Sequence, residues 1–442
     1  MLLRRRGTLL FLPALALAAL PAAAQKAGGL DARIEQEVQR VTPQIVELRH
    51  RIHQNPELSN RETQTAALVA EYLKGLGLEP RTGIAKTGVV ALLKGGKPGP
   101  LIAVRADMDA LPVTEETDLP FRSTKRDTFL GQEVGVAHAC GHDVHTTSLL
   151  GTAAVLAAVK QDLPGSILFI FQPAEEGPPP GEKGGASLML EEGVFKDAKP
   201  VAAFALHSFP ELEVGQIGYN AGPTYAAVDQ FRIKIKGKQS HGAYPHQSID
   251  PIVIGSEAVM ALQTIRSRYL PPLEPSVITV GIFRGGERFN IIPGEVALEG
   301  TVRTYNTAVQ DEIERRMREM LDGITRANGA TFELEYQRNA PATVNDPALS
   351  RAVQPLLERI LGAGNVKIVE PTMGGEDFAY FANVVPGFYY RLGVLKPGTT
   401  SGGLHTPTFR ADDSAVPVGI RTMSRLLADY LTSYGNQVTH GK

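Results

Sequence analysis

Cys140, His142, Glu175, Glu176, His207 and His405 offer thiolate, imidazole and carboxylate groups in a few short polar islands. These are HACGHDVH at 138–145, QPAEEG at 172–177, LHSF at 206–209 and GLHTP at 403–407. Mixed donors of this kind suit Zn2+, Mn2+, Co2+ or Ni2+, whereas Mg2+ and Ca2+ prefer oxygen alone. The adjacent glutamates add something further. Successive residues of a non-helical segment point apart, so one carboxylate can hold a metal while its neighbour reaches a water that the metal has acidified. A base so placed can pass the water's proton to a leaving amine, which is the chemistry of amide hydrolysis. Taken singly, Cys140 reads as a buried bystander, Glu175-Glu176 as a solvated loop edge, His207 as a core histidine and His405 as surface decoration. Their joint placement favours a site.

The islands must be positioned by the elements around them. Apolar runs at 89–94, 101–105, 167–171 and 201–206 alternate with helical patterns at 31–51, 63–76 and an Ala-rich stretch at 146–159. Strands apolar on both faces and alternating with helices imply a largely parallel sheet covered on both sides. Asp107 and Asp109 follow the second run, Glu175 and Glu176 the third and His207 the fourth, so these islands lie at the carboxyl ends of strands, where open α/β sheets bind ligands. Cys140 and His142 are expected in a loop before the Ala-rich helix.

From about 229 to 338 the texture changes. FRIKIK at 231–236 alternates strictly, helical patterns cover 251–268 and 309–328, and strands are expected at 276–283, 295–304 and 331–336. The order β-α-β-β-α-β describes a ferredoxin-like unit. The α/β pattern then resumes with a strand at 388–392 and a helix at 414–434. The expected organisation is a catalytic domain of 30–225 and 341–442, with 226–340 inserted as a lid or dimerisation domain.

A chain of 442 residues with net charge −2 and 43% hydrophobic residues carries no basic excess to match a phosphate backbone, so nucleic acid is not an expected partner. Arg4–Arg6, an uncharged run from 9 to 20 and Ala22-Ala23-Ala24 resemble a signal peptide of residues 1–24, which implies export to the periplasm or medium and no membrane attachment after cleavage. The paired arginines leave both the general and the twin-arginine routes open. Cys140 is the only cysteine, so no internal disulfide is possible.

RADMDALPVTEET (105–117), HACGHDVH, FQPAEEG (171–177), HSF (207–209), HGAYPHQSIDPI (241–252), FNIIP (289–293), GGEDFAYF (374–381) and GLHTPTF (403–409) together resemble the amidohydrolase branch of the aminoacylase and carboxypeptidase metallohydrolases. That branch includes hippurate hydrolases, N-acyl-amino acid amidohydrolases and hydrolases of indole-acetyl amino acid conjugates. The resemblance implies two divalent transition metals per subunit. Cys140 would bridge them, with Glu176 and His405 on one metal and His142 and His207 on the other. It further implies that Glu175 is the general base, that Asp109 orients a ligand histidine, and that His241 and Asn290 bind the substrate carbonyl and its oxyanion. Asp107 stands where the carboxypeptidase branch has a histidine ligand, a departure that fits ligation by His142. HNPEL at 53–58 belongs to the same resemblance, and His53 reads as structural. Arg303 is a candidate carboxylate clamp, although a surface ion pair is the plainer expectation; His138, His145, His246 and His440 carry no functional assignment.

The implied substrate is a small N-acyl-amino acid or dipeptide-like conjugate, and the implied assembly is a homodimer. The alternatives are a dipeptidase or carboxypeptidase of the same family, or a non-catalytic binding protein on the same fold. Neither GxSxG nor HExxH occurs, which disfavours a serine hydrolase and a single-helix zinc protease.

Overall fold

The structure is a computed structural model that describes residues 22–440; residues 1–21, and with them most of the expected signal peptide, lie outside the described residues. Two helices, α1 (Ala22–Gln54) and α2 (Thr63–Gly75), precede β1 (Arg81–Ile84), β2 (Gly88–Lys94) and β3 (Lys97–Asp107). Then come α3 (His142–Ala158), β4 (Pro164–Gln172), β5 (Ala203–Glu213) and β6 (Ile217–Tyr219).

The chain next builds a separate four-stranded sheet from β7 (Ala227–Lys236), α4 (Pro251–Thr264), β8 (Ser276–Gly285), β9 (Glu295–Thr304), α5 (Thr307–Ala327) and β10 (Thr331–Ala340). It returns through α6 (Pro347–Leu361), β11 (Val366–Ile368), β12 (Gly387–Leu395) and α7 (Ala415–His440).

The main sheet has the order β1-β2-β4-β3-β5-β12-β6-β11. Its centre, β4, β3, β5 and β12, is parallel, while β2 and the β6–β11 pair run against it. The burial of β12 explains that architecture, since residues 387–394 are buried without alternation and both faces must be covered. On one face Phe169, Phe204, Phe388 and Tyr390 pack against α1, α3 and α7. On the other, Tyr389, Phe378, Phe381 and Met189 form a smaller core. α3 is buried from His142 to Leu156, so it is a central helix rather than an amphipathic cover.

The second sheet has the order β8-β9-β7-β10 with every pairing antiparallel, the ferredoxin-like arrangement expected from the pattern. Phe231, Ile233 and Ile235 of FRIKIK point into its core against Leu262, Ile313 and Met317. Asp250 and Asn306 cap α4 and α5 by accepting backbone N–H bonds.

Three local expectations need correction. The Ala-rich helix starts at His142, not near 146, because Gly141 adopts φ 86° and turns the chain straight into α3. β5 continues to Glu213, so His207 lies within a strand instead of beyond it. The regular helix after Pro251 ends at Thr264 and gives way to a π turn over Ile265–Tyr269.

Candidate metal centre

Local backbone chemistry brings the donors to one place. Gly141, between Cys140 and His142, takes a left-handed conformation that a glycine adopts freely, and a Cβ there would fall 2.7 Å from Ser208 Cβ. Ala174, just before the glutamate pair, and His405 itself are left-handed at φ 53° and 63°, each at a cost of roughly 1–2 kcal/mol. Non-glycine residues held this way cluster at functional sites. The His405 N–H donates to Ala139 O at 2.8 Å, which ties its loop to the turn that carries Cys140.

Cys140 Sγ lies 3.3 Å from His207 Nε2 and 3.3 Å from His405 Nε2. His405 Nε2 is 3.2 Å from Glu176 Oε1, and His142 Nε2 is 3.9 Å from both that oxygen and Glu175 Oε2. Two three-donor groups therefore share one sulfur. They are Cys140, His142 and His207, and Cys140, Glu176 and His405, with the donor atoms of each within 4.8 Å of one another. In a tetrahedral site with metal–ligand bonds of about 2.0–2.3 Å the ligand–ligand edges are about 3.5 Å, so small movements suffice to close either group on a cation.

The orientation and charge of these residues fit metal ions. His142 Nδ1 donates to Asp109 O at 2.8 Å and His207 Nδ1 to Ser208 O at 2.7 Å, which turns the Nε2 lone pairs inward. Asp109 Oδ1 also lies 3.3 Å from His142 Nδ1, while Ser59 Oγ and the N–H groups of Glu175 and Glu176 donate to its carboxylate. His142 Nε2 is buried without a hydrogen-bond partner, an orphan atom within the cluster, and Glu176 Oε1 meets His405 Nε2 there at 3.2 Å.

Burial, then the carboxylates of Glu176 and Glu175, push the Cys140 thiol well above the usual range. Burial, then Glu376 and Glu176, push Glu175 upward as well. A thiol, imidazoles and carboxylates converging on one point fit a cation, and these residues would hold two divalent ions.

Beneath this layer lies a second network that the sequence reading did not assign. Buried Arg105 donates to Asp107 Oδ2 (2.6 Å), Gln172 Oε1 (2.8 Å), Glu376 Oε1 (2.9 Å) and Asp377 Oδ1 (3.0 Å). His145 Nδ1 donates to Asp107 Oδ1 at 2.6 Å, and His145 Nε2 accepts from Ser208 N at 2.6 Å. Asp107, His142 and His145 also lie close enough to suggest a metal, as do Glu175, Glu376 and Asp377. Arg105 already engages Asp107, Glu376 and Asp377, and Ser208 engages His145, so these four residues are supports for the centre. The Asp377 N–H reaches Glu175 Oε1 at 3.4 Å and connects this network to the candidate base. Arg105 and the Glu376-Asp377 pair stood inside motifs already quoted, but a buried cation shared by distant carboxylates has no spacing to betray it.

The remaining candidates are dispersed. His53 is buried with Nδ1 3.0 Å from Asp143 Oδ2 and Nε2 3.1 Å from Glu115 Oε2. Arg303 corrects the expectation of a surface ion pair: it is half-buried, its Nε donates to Thr301 Oγ1 at 3.0 Å, and no acid pairs with it among the described residues. It lines a cleft of about 1010 Å³ that also contains Cys140, Glu175, Glu176, His207 and His405. His241 and Asn290 do not line that cleft. They stand together on a two-stranded ribbon of the insert, where His241 pairs with Ile291 and the Gly242 N–H donates to Asn290 O at 2.9 Å. His241 is exposed and Asn290 Oδ1 has no partner.

An open, largely parallel sheet gathers candidate ligands for two cations at its carboxyl edge, the arrangement that a dinuclear metal-dependent hydrolase needs. Residues 103–429 match the model of Peptidase family M20/M25/M40, and the chain belongs to that family. It is 37% identical to an N-acetyl-L-cysteine deacetylase of Bacillus subtilis over 84% of this chain and 85% of that one. It is 35% identical to an IAA-amino acid hydrolase of Arabidopsis thaliana over 88% of this chain and 86% of that one. Its fold matches the crystal structure of a dinuclear metal-binding peptidase of the M20 family from Bacillus subtilis with a TM-score of 0.76 and 34% identity, covering 89% of this chain and 99% of that one.

Proposed function

We propose that the protein hydrolyses the amide bond of N-acyl-amino acids, or of similar conjugates that keep a free carboxylate, with Glu175 as proton shuttle. The observation that carries this reading is the single sulfur of Cys140 at 3.3 Å from two histidines and shared by two candidate donor groups, with Glu175 beside the cluster. Cys140, His142 and His207 would hold one cation and Cys140, Glu176 and His405 the other. When bound, the two ions polarise the amide carbonyl and acidify water. Glu175 takes the proton of the attacking water as the C–O bond forms, and returns it to the amine nitrogen as the C–N bond breaks. A carboxylate whose affinity for protons is raised by burial is suited to both halves of that transfer. Arg303 on the cleft wall would hold the substrate carboxylate.

The insert supports a homodimer in which His241 and Asn290 of one subunit serve the other's cleft. The Ala243 N–H donates to Nδ1 of the exposed His241 at 3.0 Å, so in the neutral ring Nε2 carries the proton, as a donor to an oxyanion must. Export rests on the composition of the leader; a mature N-terminus at or near Gln25, found by sequencing protein from the native host, supports it, and a retained Met1 overturns it.

Release of free amino acid from N-acetyl, N-benzoyl and indole-acetyl amino acids, set beside dipeptides, tests the activity. Glu175→Gln is expected to keep metal and fold and to lose about 10²–10⁴-fold in turnover. If it loses metal while Glu176→Gln stays active, the two roles are wrong.

A further inference from the structure

Arg391 is a cation that the proposed chemistry does not use. It lies on β12 in parallel register with His207 on β5, so the two side chains leave the same face of the sheet, and His207 lines the cleft. Only 4% of the residue is exposed. Its guanidinium carbon stands 4.5 Å from the ring centre of Phe209 and 5.5 Å from that of Tyr225, both of which line the cleft. The guanidinium thus stands over two aromatic rings, a favourable contact for a cation.

The edge tells a different story. Nε and Nη2 are buried and have no hydrogen-bond partner, and among the described residues no acid pairs with Arg391. Those two nitrogens are one fork of the guanidinium. Elsewhere in the molecule the same fork of Arg421 grips Glu35, with Nε to Oε2 at 2.6 Å and Nη2 to Oε1 at 2.7 Å. A buried fork without an acceptor is costly, and a carboxylate is the group whose shape and charge fill it.

Arg303 approaches from the other side of the crossover into the insert. A Cβ on Gly375 would meet Val228 Cγ2 at 2.4 Å and Arg303 Nη1 at 3.5 Å, whereas Tyr225, three residues before Val228, faces Arg391. The wall around residues 225–228 therefore has a guanidinium without an acid partner at each end.

We propose that Arg391 is a second anion-binding point and that preferred substrates carry two carboxylates. The α-carboxylate would be held at Arg303 and the side-chain carboxylate of an N-acylated aspartate or glutamate at Arg391. The inference rests on the amidohydrolase reading for its substrate and on the empty fork for its site. Wild type, Arg391→Met and Arg391→Lys are to be compared on N-acetyl-glutamate and N-acetyl-leucine, with metal content measured for each. Binding of glutarate and butyrate to the metal-free proteins is measured calorimetrically.

Arg391→Met is expected to lower kcat/KM for the glutamate conjugate at least tenfold and for the leucine conjugate less than threefold, with metal content unchanged. Arg391→Lys, which keeps the charge but loses the fork, is expected to fall between. Metal-free wild type is expected to bind glutarate at least tenfold more tightly than butyrate. Equal losses on both substrates, or no loss on either, overturn the inference and leave the amidohydrolase reading standing. Should Arg391→Met fail to fold, equal binding of glutarate and butyrate by wild type overturns it instead. If no conjugate is cleaved and glutarate binding is still lost in the variant, the activity is wrong and the anion site stands.

Discussion

At the scale of single residues, burial and two carboxylates oppose the ionisation of Cys140, whereas the donors around it suit a shared thiolate. Bound cations would reverse that balance by holding the deprotonated sulfur. With metal bound, the thiol is expected to resist alkylation, and removal of metal by a chelator should make it reactive; equal alkylation of both forms would take Cys140 out of the centre. His53 poses the reverse problem. Burial favours its neutral form, but Asp143, with help from Glu115, overcomes this and raises its pKa to about 9. A histidine raised above its unfolded value of about 6.5 contributes stability that is fully present below pH 6.5 and is lost as pH rises through 9. The shift corresponds to about 3 kcal/mol. His53→Gln is therefore expected to lower Tm more at pH 6 than at pH 10, and an equal deficit at both would show that His53 is not charged in the folded protein.

At the scale of elements, the donors are useful only because separate segments are fixed against each other, and Arg49 of α1 does much of that fixing. Its Nε donates to Asp143 Oδ2 at 2.9 Å, next to His142, while Nη1 and Nη2 reach Asp413 Oδ1 at 2.6 Å and Ala411 O at 2.9 Å on the segment that follows His405. Arg49→Met is expected to weaken metal binding by about 10–100-fold in chelator competition, the usual effect of losing a support behind the ligands. Asp229→Asn opens a buried polar cluster in the insert and should lower Tm without that loss; a similar weakening in both would reduce Arg49 to general stability. The elements themselves were largely legible, because β12 is buried on both faces and β7 alternates strictly, and each pattern permits one kind of strand. Ends were less so. The start of α3 depends on the left-handed turn at Gly141, and the length of β5 on its register with β12, neither of which has a local signature. The donor types were visible for the same reason as the strands, namely that short polar islands interrupt apolar runs. Arg105, Glu376 and Arg391 were not, because a buried charge is defined by what folds around it.

For the whole molecule, the open question is whether one chain contains a complete site. The cleft gathers the candidate ligands, Glu175 and Arg303, but His241 and Asn290 stand apart on the insert, which also exposes Met260 (71%), Leu273 (94%) and Phe289 (97%). β8 is an edge strand of the insert's sheet, and apolar side chains beside an unpaired edge favour association with another chain. A second copy would cover this surface and could bring His241 to its partner's cleft. Loss of an oxyanion donor costs about 10²–10³-fold in turnover, so His241→Ala and Glu175→Gln homodimers should each be nearly inactive. Unfolded together and reassembled, they should form heterodimers in which one cleft combines an intact Glu175 with the other subunit's intact His241. Recovered activity approaching half that of wild type per heterodimer supports a shared site. If mass spectrometry shows heterodimers and activity stays at the level of the separate variants, His241 acts within its own subunit or outside the chemistry, and the insert's exposed apolar surface needs another explanation.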